Sequence, residues 1–243
     1  MSRAAIRLLS SITDLYRTTI DEAGPGFQML GDALHAIAAC PYPREALRAP
    51  PPANRSVAPV AALVTGLDAG GPLGPIVEQF QAAEPFLDWH QDTELAEKTQ
   101  DTGFLAGHGM IEIVGPDRLF RSATTRVGLM LLAPNVLYPE HAHVAEEVYH
   151  VISGTGAWWQ QGEDWTPKPP GSTIHHPSGL AHATRTTSRP MLAVYCWRGP
   201  VEVAADEPDG AGRKKKTTAK KKAQQKVSTK AKAAPRKRAG PKP

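Results

Sequence analysis

Two short segments that carry histidine and acidic side chains constrain this chain more than any other feature. The first, PEHAHVAEEVYHVISG, spans residues 139–154, and the second, GSTIHHPSGLAH, spans residues 171–182. His141, His143 and Glu147 share one parity, so on a single extended strand their side chains would leave the same face. With the imidazole of His182 from a neighbouring strand, this set suits a divalent transition metal and leaves coordination positions open.

The second half of the chain has the sequence pattern of a β-protein. From about residue 100, short apolar stretches alternate with Gly, Pro and Asp, a pattern that predicts many short strands joined by tight turns. An antiparallel sandwich or barrel is the expected architecture. The predicted strands are MIEIVG (110–115), RVGLMLLAP (126–134), EVYHVISG (147–154), GAWWQ (156–160) and MLAVYCW (191–197).

The first half is predicted to be helical. Apolar residues at spacings of three and four predict an amphipathic helix over 4–20, and a second helix is expected from Phe27 to about Cys40. Residues 41–59 are rich in proline and predict an extended connector. A third helix is expected over 74–88, where Pro85 would end or kink it.

Charge is distributed unevenly along the chain. Of the 28 Lys and Arg, fourteen lie from Arg213 onward, where no acid occurs, so the remaining fourteen share residues 1–212 with all 24 acids. The tail over 205–243 has hardly any large apolar residue and is predicted to be disordered. It would bind nucleic acid phosphates without sequence preference, bind an acidic surface, or serve as a solubilising appendage.

Cysteine content and hydropathy bear on the compartment. Two cysteines, Cys40 and Cys196, are too few for a disulfide framework and favour a reducing compartment. No apolar run reaches the roughly 18 residues of a membrane helix, and the N-terminus lacks the features of a signal peptide. A cytoplasmic protein without membrane contact is expected. Its oligomeric state stays open, with a homodimer among the alternatives.

The two segments resemble the paired motifs of the cupin family. His141, His143, Glu147 and Gly154 fit the first motif, and the second is matched at Gly171, Pro177, Gly179 and His182. Asn135 stands where the first motif usually opens with Gly, and Thr186 where the second usually closes with Asn. The departures affect turn geometry and no metal ligand.

This resemblance implies a mainly β fold, the cupin double-stranded β-helix or jelly-roll barrel, with N-terminal α-helices and a disordered basic tail. The expected division is an N-terminal helical segment with its connector packing on the barrel (1–95), a metal-binding cupin domain (96–204) and the tail (205–243). One divalent transition metal is expected, and Fe, Mn, Ni, Co and Zn all accept the four ligands.

A closer resemblance joins HAHVAEEVYHVISGTG, GSTIHHPSGLAHATRT and LAVYCWRG to the cupin-type dimethylsulfoniopropionate lyases of bacteria. It implies β-elimination of dimethylsulfoniopropionate to dimethyl sulfide and acrylate. The resemblance implies that the metal ligands are the residues that match the family's ligands, namely His141, His143, Glu147 and His182. Tyr149 matches the proposed base, and Tyr138 and Trp197 match residues that line the pocket.

The residues make chemical sense for this reaction. Tyr149 lies two positions after Glu147, so strand parity puts its phenol on the metal face, where it is either the base or a packed strand aromatic. If it is not the base, Tyr138 is the next candidate. The cationic sulfonium favours an aromatic wall, for which Tyr138, Trp197, Trp158 and Trp159 are candidates, and sheet packing is expected for at least two of them.

Two other classes of function remain open. An open site of three histidines and a carboxylate also supports a dioxygenase or an isomerase that acts on another small carboxylate. A non-catalytic cupin with a nucleic-acid-tethering tail is the third alternative. The tail lacks aromatic residues for base stacking, so it would tether at most.

Overall fold

The structure is a computed structural model that describes residues 2–23, 27–40, 57–68 and 70–201. The helices are α1 (Ser2–Ala23), α2 (Gln28–Ala38), α3 (Ala58–Ala61), α4 (Gly74–Ala83) and α5 (Thr93–Thr99). The strands are β1 (Trp89–His90), β2 (His108–Gly115), β3 (Phe120–Arg121), β4 (Thr125–Leu132), β5 (Leu137–His141), β6 (Glu146–Ser153), β7 (Gly156–Gln160), β8 (Thr166–Lys168), β9 (Thr173–His176), β10 (His182–Thr186) and β11 (Met191–Arg198).

Two sequence predictions fall on residues outside this description. The tail over 205–243 lies wholly outside it, and so does most of the proline-rich connector over 41–59. The described residues belong to a compact unit that ends at Gly210. The boundary proposed at residue 95 therefore stays a prediction.

The helices follow the apolar spacing of the sequence. Leu9, Ile12 and Tyr16 lie on one side of α1 and are buried, as the predicted amphipathic pattern requires. Helix α4 ends at Ala83, and Pro85 lies in the short 3-10 turn that follows, because a proline inside an α-helix lacks the N–H and clashes with the preceding turn. The predicted third helix is thus confirmed, with its end set by Pro85.

The strands form two sheets. The larger has the order β1-β2-β4-β11-β6-β9, with β3 beside β2, and the smaller has the order β5-β10-β7-β8. All pairings are antiparallel except β2 with β3. This confirms the predicted jelly-roll barrel with N-terminal helices.

Two apolar cores lie on opposite faces of the larger sheet. The outer core joins α1, α2 and α4 to the outward residues of the sheet, among them Val148 and Cys196. The inner core lies inside the barrel and includes Tyr149 and Tyr195 from the larger sheet, and Tyr138 and Trp158 from the smaller one. Alternation along each strand divides the side chains between these cores.

The two departures from the cupin motifs lie in a turn that suits them. Asn135 has φ of 59°, in the left-handed region that asparagine tolerates better than most residues, and its N–H donates to Thr187 O (2.7 Å). The hydroxyl of Thr186 donates to Ala133 O and accepts from Val136 N (3.0 Å). The structure therefore accommodates Asn135 through its backbone conformation and Thr186 through its hydroxyl hydrogen bonds.

Candidate metal centre

The predicted ligands converge, but not by the route that strand parity indicated. His141 ends β5 in the smaller sheet, whereas Glu147 belongs to β6 in the larger one, so the three residues do not share one strand. His143 lies in the connection between β5 and β6. His141 pairs with His182 across β5 and β10. The single-strand interpretation is wrong because the chain crosses between the sheets at residues 142–145.

The four side chains nevertheless meet inside the barrel. One nitrogen from each of His141, His143 and His182 lies within 4.8 Å of the others, and all three residues are buried. Nε2 of His143 lies 3.1 Å from Glu147 Oε2, and Nε2 of His182 lies 3.3 Å from the same oxygen. His143 and His182 thus lie close both to His141 and to Glu147.

Each of the three histidines is oriented by a backbone carbonyl two residues away. The pairs are His141 Nδ1 with Pro139 O (2.8 Å), His143 Nδ1 with Ala145 O (2.7 Å) and His182 Nδ1 with Leu180 O (2.9 Å). A carbonyl oxygen only accepts, so Nδ1 carries the proton in each ring. In the neutral imidazole this leaves the lone pair on Nε2, the arrangement found in metal-ligating histidines.

Glu147 supplies the negative charge at this point. Burial acts to raise its pKa, but the neighbouring imidazoles of His143, His176 and His182 outweigh it, so the pKa lies well below its ordinary value and the buried carboxylate is ionised. Burial acts to lower the pKa of His143, yet Glu147 raises it above the ordinary value. The pKa of His141 is lowered well below its ordinary value by burial and by His182.

The donor set fits a divalent transition metal. Nε2 of His182 is buried and makes no hydrogen bond among the described residues, although the Glu147 oxygen is close. Nitrogens of His143, His176 and His182 lie around Glu147 Oε2, and several histidines with one carboxylate match the ligand preference of such metals. We therefore regard this cluster as a candidate metal site.

His176 lies outside the predicted ligand set, yet the structure places it against Glu147. His176 is opposite Glu147 across β6 and β9, is fully buried, and places Nδ1 3.2 Å from Glu147 Oε2. Its ring stacks on His182 at 3.8 Å, and burial lowers its pKa to about 4. Glu147, His176 and His182 form a second set of close donors. His176 belongs to it because the register of β9 against β6 places it opposite Glu147.

Tyr149 lies beside the cluster, on the inner face of β6. Its ring centroid is 5.8 Å from His176 and 4.8 Å from Trp158. Its hydroxyl lies 4.0 Å from Met130 Sδ. Burial first, and then the charge of Glu147, raises the pKa of the phenol well above its ordinary value, so without a bound cation the phenol is neutral at neutral pH.

Tyr138 lies at the other side of the cluster. Its ring centroid is 4.6 Å from that of His141, and it stacks on His108 at 4.7 Å. The hydroxyl donates to Asp92 Oδ2 at 2.9 Å. Burial and the charge of Asp92 raise the pKa of Tyr138 well above its ordinary value. Asp92, which comes from the helical half of the chain, was missed because no local motif marks it.

The tryptophans differ in how they relate to the cluster. Trp197 packs over His143, with ring centroids 4.1 Å apart, and its Nε1 donates to Glu147 Oε1. Trp158 is buried against Tyr149, whereas Trp159 is half-buried and, by strand alternation, faces the other side of β7. Among the ring contacts of the described residues none involves Trp159. Its predicted role in substrate binding stays a prediction.

His150 occupies the face of β6 opposite to Glu147 and Tyr149. It is buried, its ring centroid lies 5.6 Å from that of Tyr16 on α1, and its Nδ1 contacts Thr173 Oγ1 at 3.1 Å. Burial lowers its pKa to about 4. His150 therefore belongs to the outer core.

No helix within the described ranges has the length and hydropathy needed to cross a membrane.

Comparisons with known proteins relate the chain to one family. Residues 46–193 match the family model described as dimethylsulfoniopropionate lyase. The dimethylsulfoniopropionate lyase DddQ of Ruegeria pomeroyi is 35% identical over 92 residues, or 38% of this chain and 46% of that protein. The Cereibacter sphaeroides protein DddL is 38% identical over 93 residues, or 37% of this chain and 38% of that protein. The chain thus spans less than half the length of these curated relatives.

Solved structures support the same fold. The crystal structure of the lyase DddQ from Ruegeria pomeroyi matches with a TM-score of 0.68 at 24% identity, covering 86% of this chain and 100% of that chain. A chain from crystal structures of the lyases RdDddP and RnDddQII matches with a TM-score of 0.64 at 25% identity, covering 85% and 98%. These matches cover most of both chains.

Proposed function

Because the chain belongs to the dimethylsulfoniopropionate lyase family, we propose that it cleaves dimethylsulfoniopropionate to dimethyl sulfide and acrylate. The observation that carries this proposal is the oriented histidine set around Glu147, with a tyrosine two residues further along β6. His141, His143, Glu147 and His182 would hold one divalent transition metal. When bound, the metal would polarise the substrate carboxylate and favour the phenolate form of a nearby tyrosine.

Tyr149 is the proposed base. Its oxygen accepts a proton from the carbon next to the substrate carboxylate, and the electron pair left behind forms the double bond of acrylate. The bond between the β-carbon and sulfur breaks, and its electrons leave with neutral dimethyl sulfide, which needs no acid. The Glu147 charge that raises the pKa of Tyr149 also makes the phenolate a stronger base once it forms.

The surrounding residues hold the geometry of this step. The hydrogen bond from Trp197 to Glu147 orients the carboxylate, and the ring of Trp197 covers His143. The Tyr138 hydroxyl donates a hydrogen bond to Asp92, which favours a role in the pocket wall over that of a base. Trp158 supports the ring of Tyr149 from within the barrel.

Release of dimethyl sulfide tests the proposal directly. The purified protein is loaded in turn with Fe, Mn, Ni, Co and Zn, and headspace dimethyl sulfide and dissolved acrylate are measured from the same reactions. Equal amounts of both products are expected, without oxygen consumption, which separates the lyase from a dioxygenase. A folded, metal-loaded protein that releases neither product would contradict the proposal.

A further inference from the structure

Asp92 connects the helical half of the chain to the interior of the barrel. It precedes α5, and its Oδ1 accepts from the backbone N–H of Leu95 (3.0 Å), as an N-cap residue does. Its Oδ2 accepts from the Tyr138 hydroxyl (2.9 Å). Both partners are neutral donors. The carboxylate therefore carries a charge that no cationic side chain among the described residues neutralises.

Tyr138 joins this charge to the histidine cluster. Its hydroxyl contacts Asp92, while its ring lies 4.6 Å from His141 and 5.5 Å from Phe104, measured between ring centroids. The carboxylate and the candidate metal ligands thus lie at opposite ends of one aromatic surface.

The proposed substrate has two charged ends that match this surface. Two methylene groups separate its carboxylate from its sulfonium, and the sulfonium has no hydrogen to donate. Such a cation is recognised by aromatic faces and by opposite charge rather than by hydrogen bonds. With the substrate carboxylate at the histidine cluster, the sulfonium would lie on the Tyr138 side of the cluster, toward Asp92.

On the basis of the proposed function, we propose that Asp92 is the substrate-binding residue that selects the cationic sulfonium. The N-terminal segment would then contribute specificity to the barrel, and a neutral thioether of the same length would gain nothing from this carboxylate. Asp92 would act on substrate affinity more than on turnover, because it contacts the leaving end and not the carbon that loses its proton.

An isosteric variant separates charge from structure. Asp92→Asn keeps an N-cap residue and can still pair with the Tyr138 hydroxyl, but it removes the charge. We expect KM for dimethylsulfoniopropionate to rise about ten-fold and kcat to change less than about three-fold, since a mutation that weakens binding without touching the reacting bond acts on KM. Competitive inhibition by 3-(methylthio)propanoate, which lacks the charge, should stay unchanged.

Glu94→Gln is the matched control, because it removes one exposed carboxylate from the same helix, where it pairs with Lys98. Its kinetics should equal those of the natural chain. Equal weakening of the charged and neutral compounds by Asp92→Asn would reveal a structural role and overturn the proposal, as would kinetics identical to those of Glu94→Gln. If the unaltered protein releases no dimethyl sulfide, the proposed function fails, and the inference fails with it.

Discussion

The two faces of β6 place their buried polar residues in different surroundings. The inner face carries Glu147 and Tyr149, which lie beside His143 and His176 in the barrel. The outer face carries His150, which packs among apolar residues beneath α1. The named residues of both faces are buried, yet only the inner face gathers several donors around a carboxylate.

This difference teaches that burial by itself does not identify a metal ligand. His150 is as buried as His143, but its Nδ1 meets a hydroxyl, which donates or accepts, and the structure gives it no carboxylate partner among the described residues. His143 has a carbonyl that orients Nδ1 and a carboxylate beside Nε2. The opposite directions of their pKa shifts follow from that carboxylate.

Removing a ligand from the inner face should have the largest effect. His143→Ala is expected to lose the bound metal and to reduce dimethyl sulfide release to background, because the remaining donors no longer enclose the ion. Elemental analysis measures the metal content, and far-ultraviolet circular dichroism of the same sample shows whether the protein is still folded. His150→Gln, on the outer face of β6, should keep the metal. Wild-type metal content in His143→Ala would refute the assignment.

Tyr149→Phe tests the chemistry of the inner face while keeping the ring. Loss of a general base typically costs about 10²–10⁴ in rate, so kcat should fall by that factor while metal content and KM change little. Tyr195→Phe is the matched control, because Tyr195 is opposite Tyr149 on β11 but its hydroxyl donates to Glu112 (3.3 Å). Near-normal turnover by the metal-loaded Tyr149→Phe protein would transfer the base role to another group.

His150, on the outer face, should make the stability of the protein depend on pH. The pKa of His150 is about 4 in the folded protein, against an unfolded value near 6.5, so the unfolded chain binds the extra proton between these values. Its contribution to stability is therefore complete above about pH 6.5 and is lost as the pH falls toward 4, by about 3 kcal/mol. Urea unfolding of His150→Gln should show a smaller decrease in the free energy of unfolding between pH 6.5 and pH 4. An identical pH slope in both proteins would exclude this role.

Several features of the fold were predictable because they depend on local pattern. The apolar spacing of α1 and the proline at residue 85 predicted a helix and a helix end, and both are confirmed. The β-strands of the second half were expected from short apolar runs between turn residues. The candidate ligands His143 and His182 were recognised because each lies within a short motif of fixed spacing.

The parts of the site that depend on register and on closure of the barrel could not be read from spacing. His176 faces Glu147 only because β9 pairs with β6 in a particular register, and a shift of one residue would turn its side chain to the other face. Asp92 reaches Tyr138 across 46 residues of sequence. The sequence by itself determined which side chains can bind a metal or a proton, since that follows from their chemistry. Only the tertiary structure decided which of them meet, because the contacts cross between strands, sheets and the helical segment.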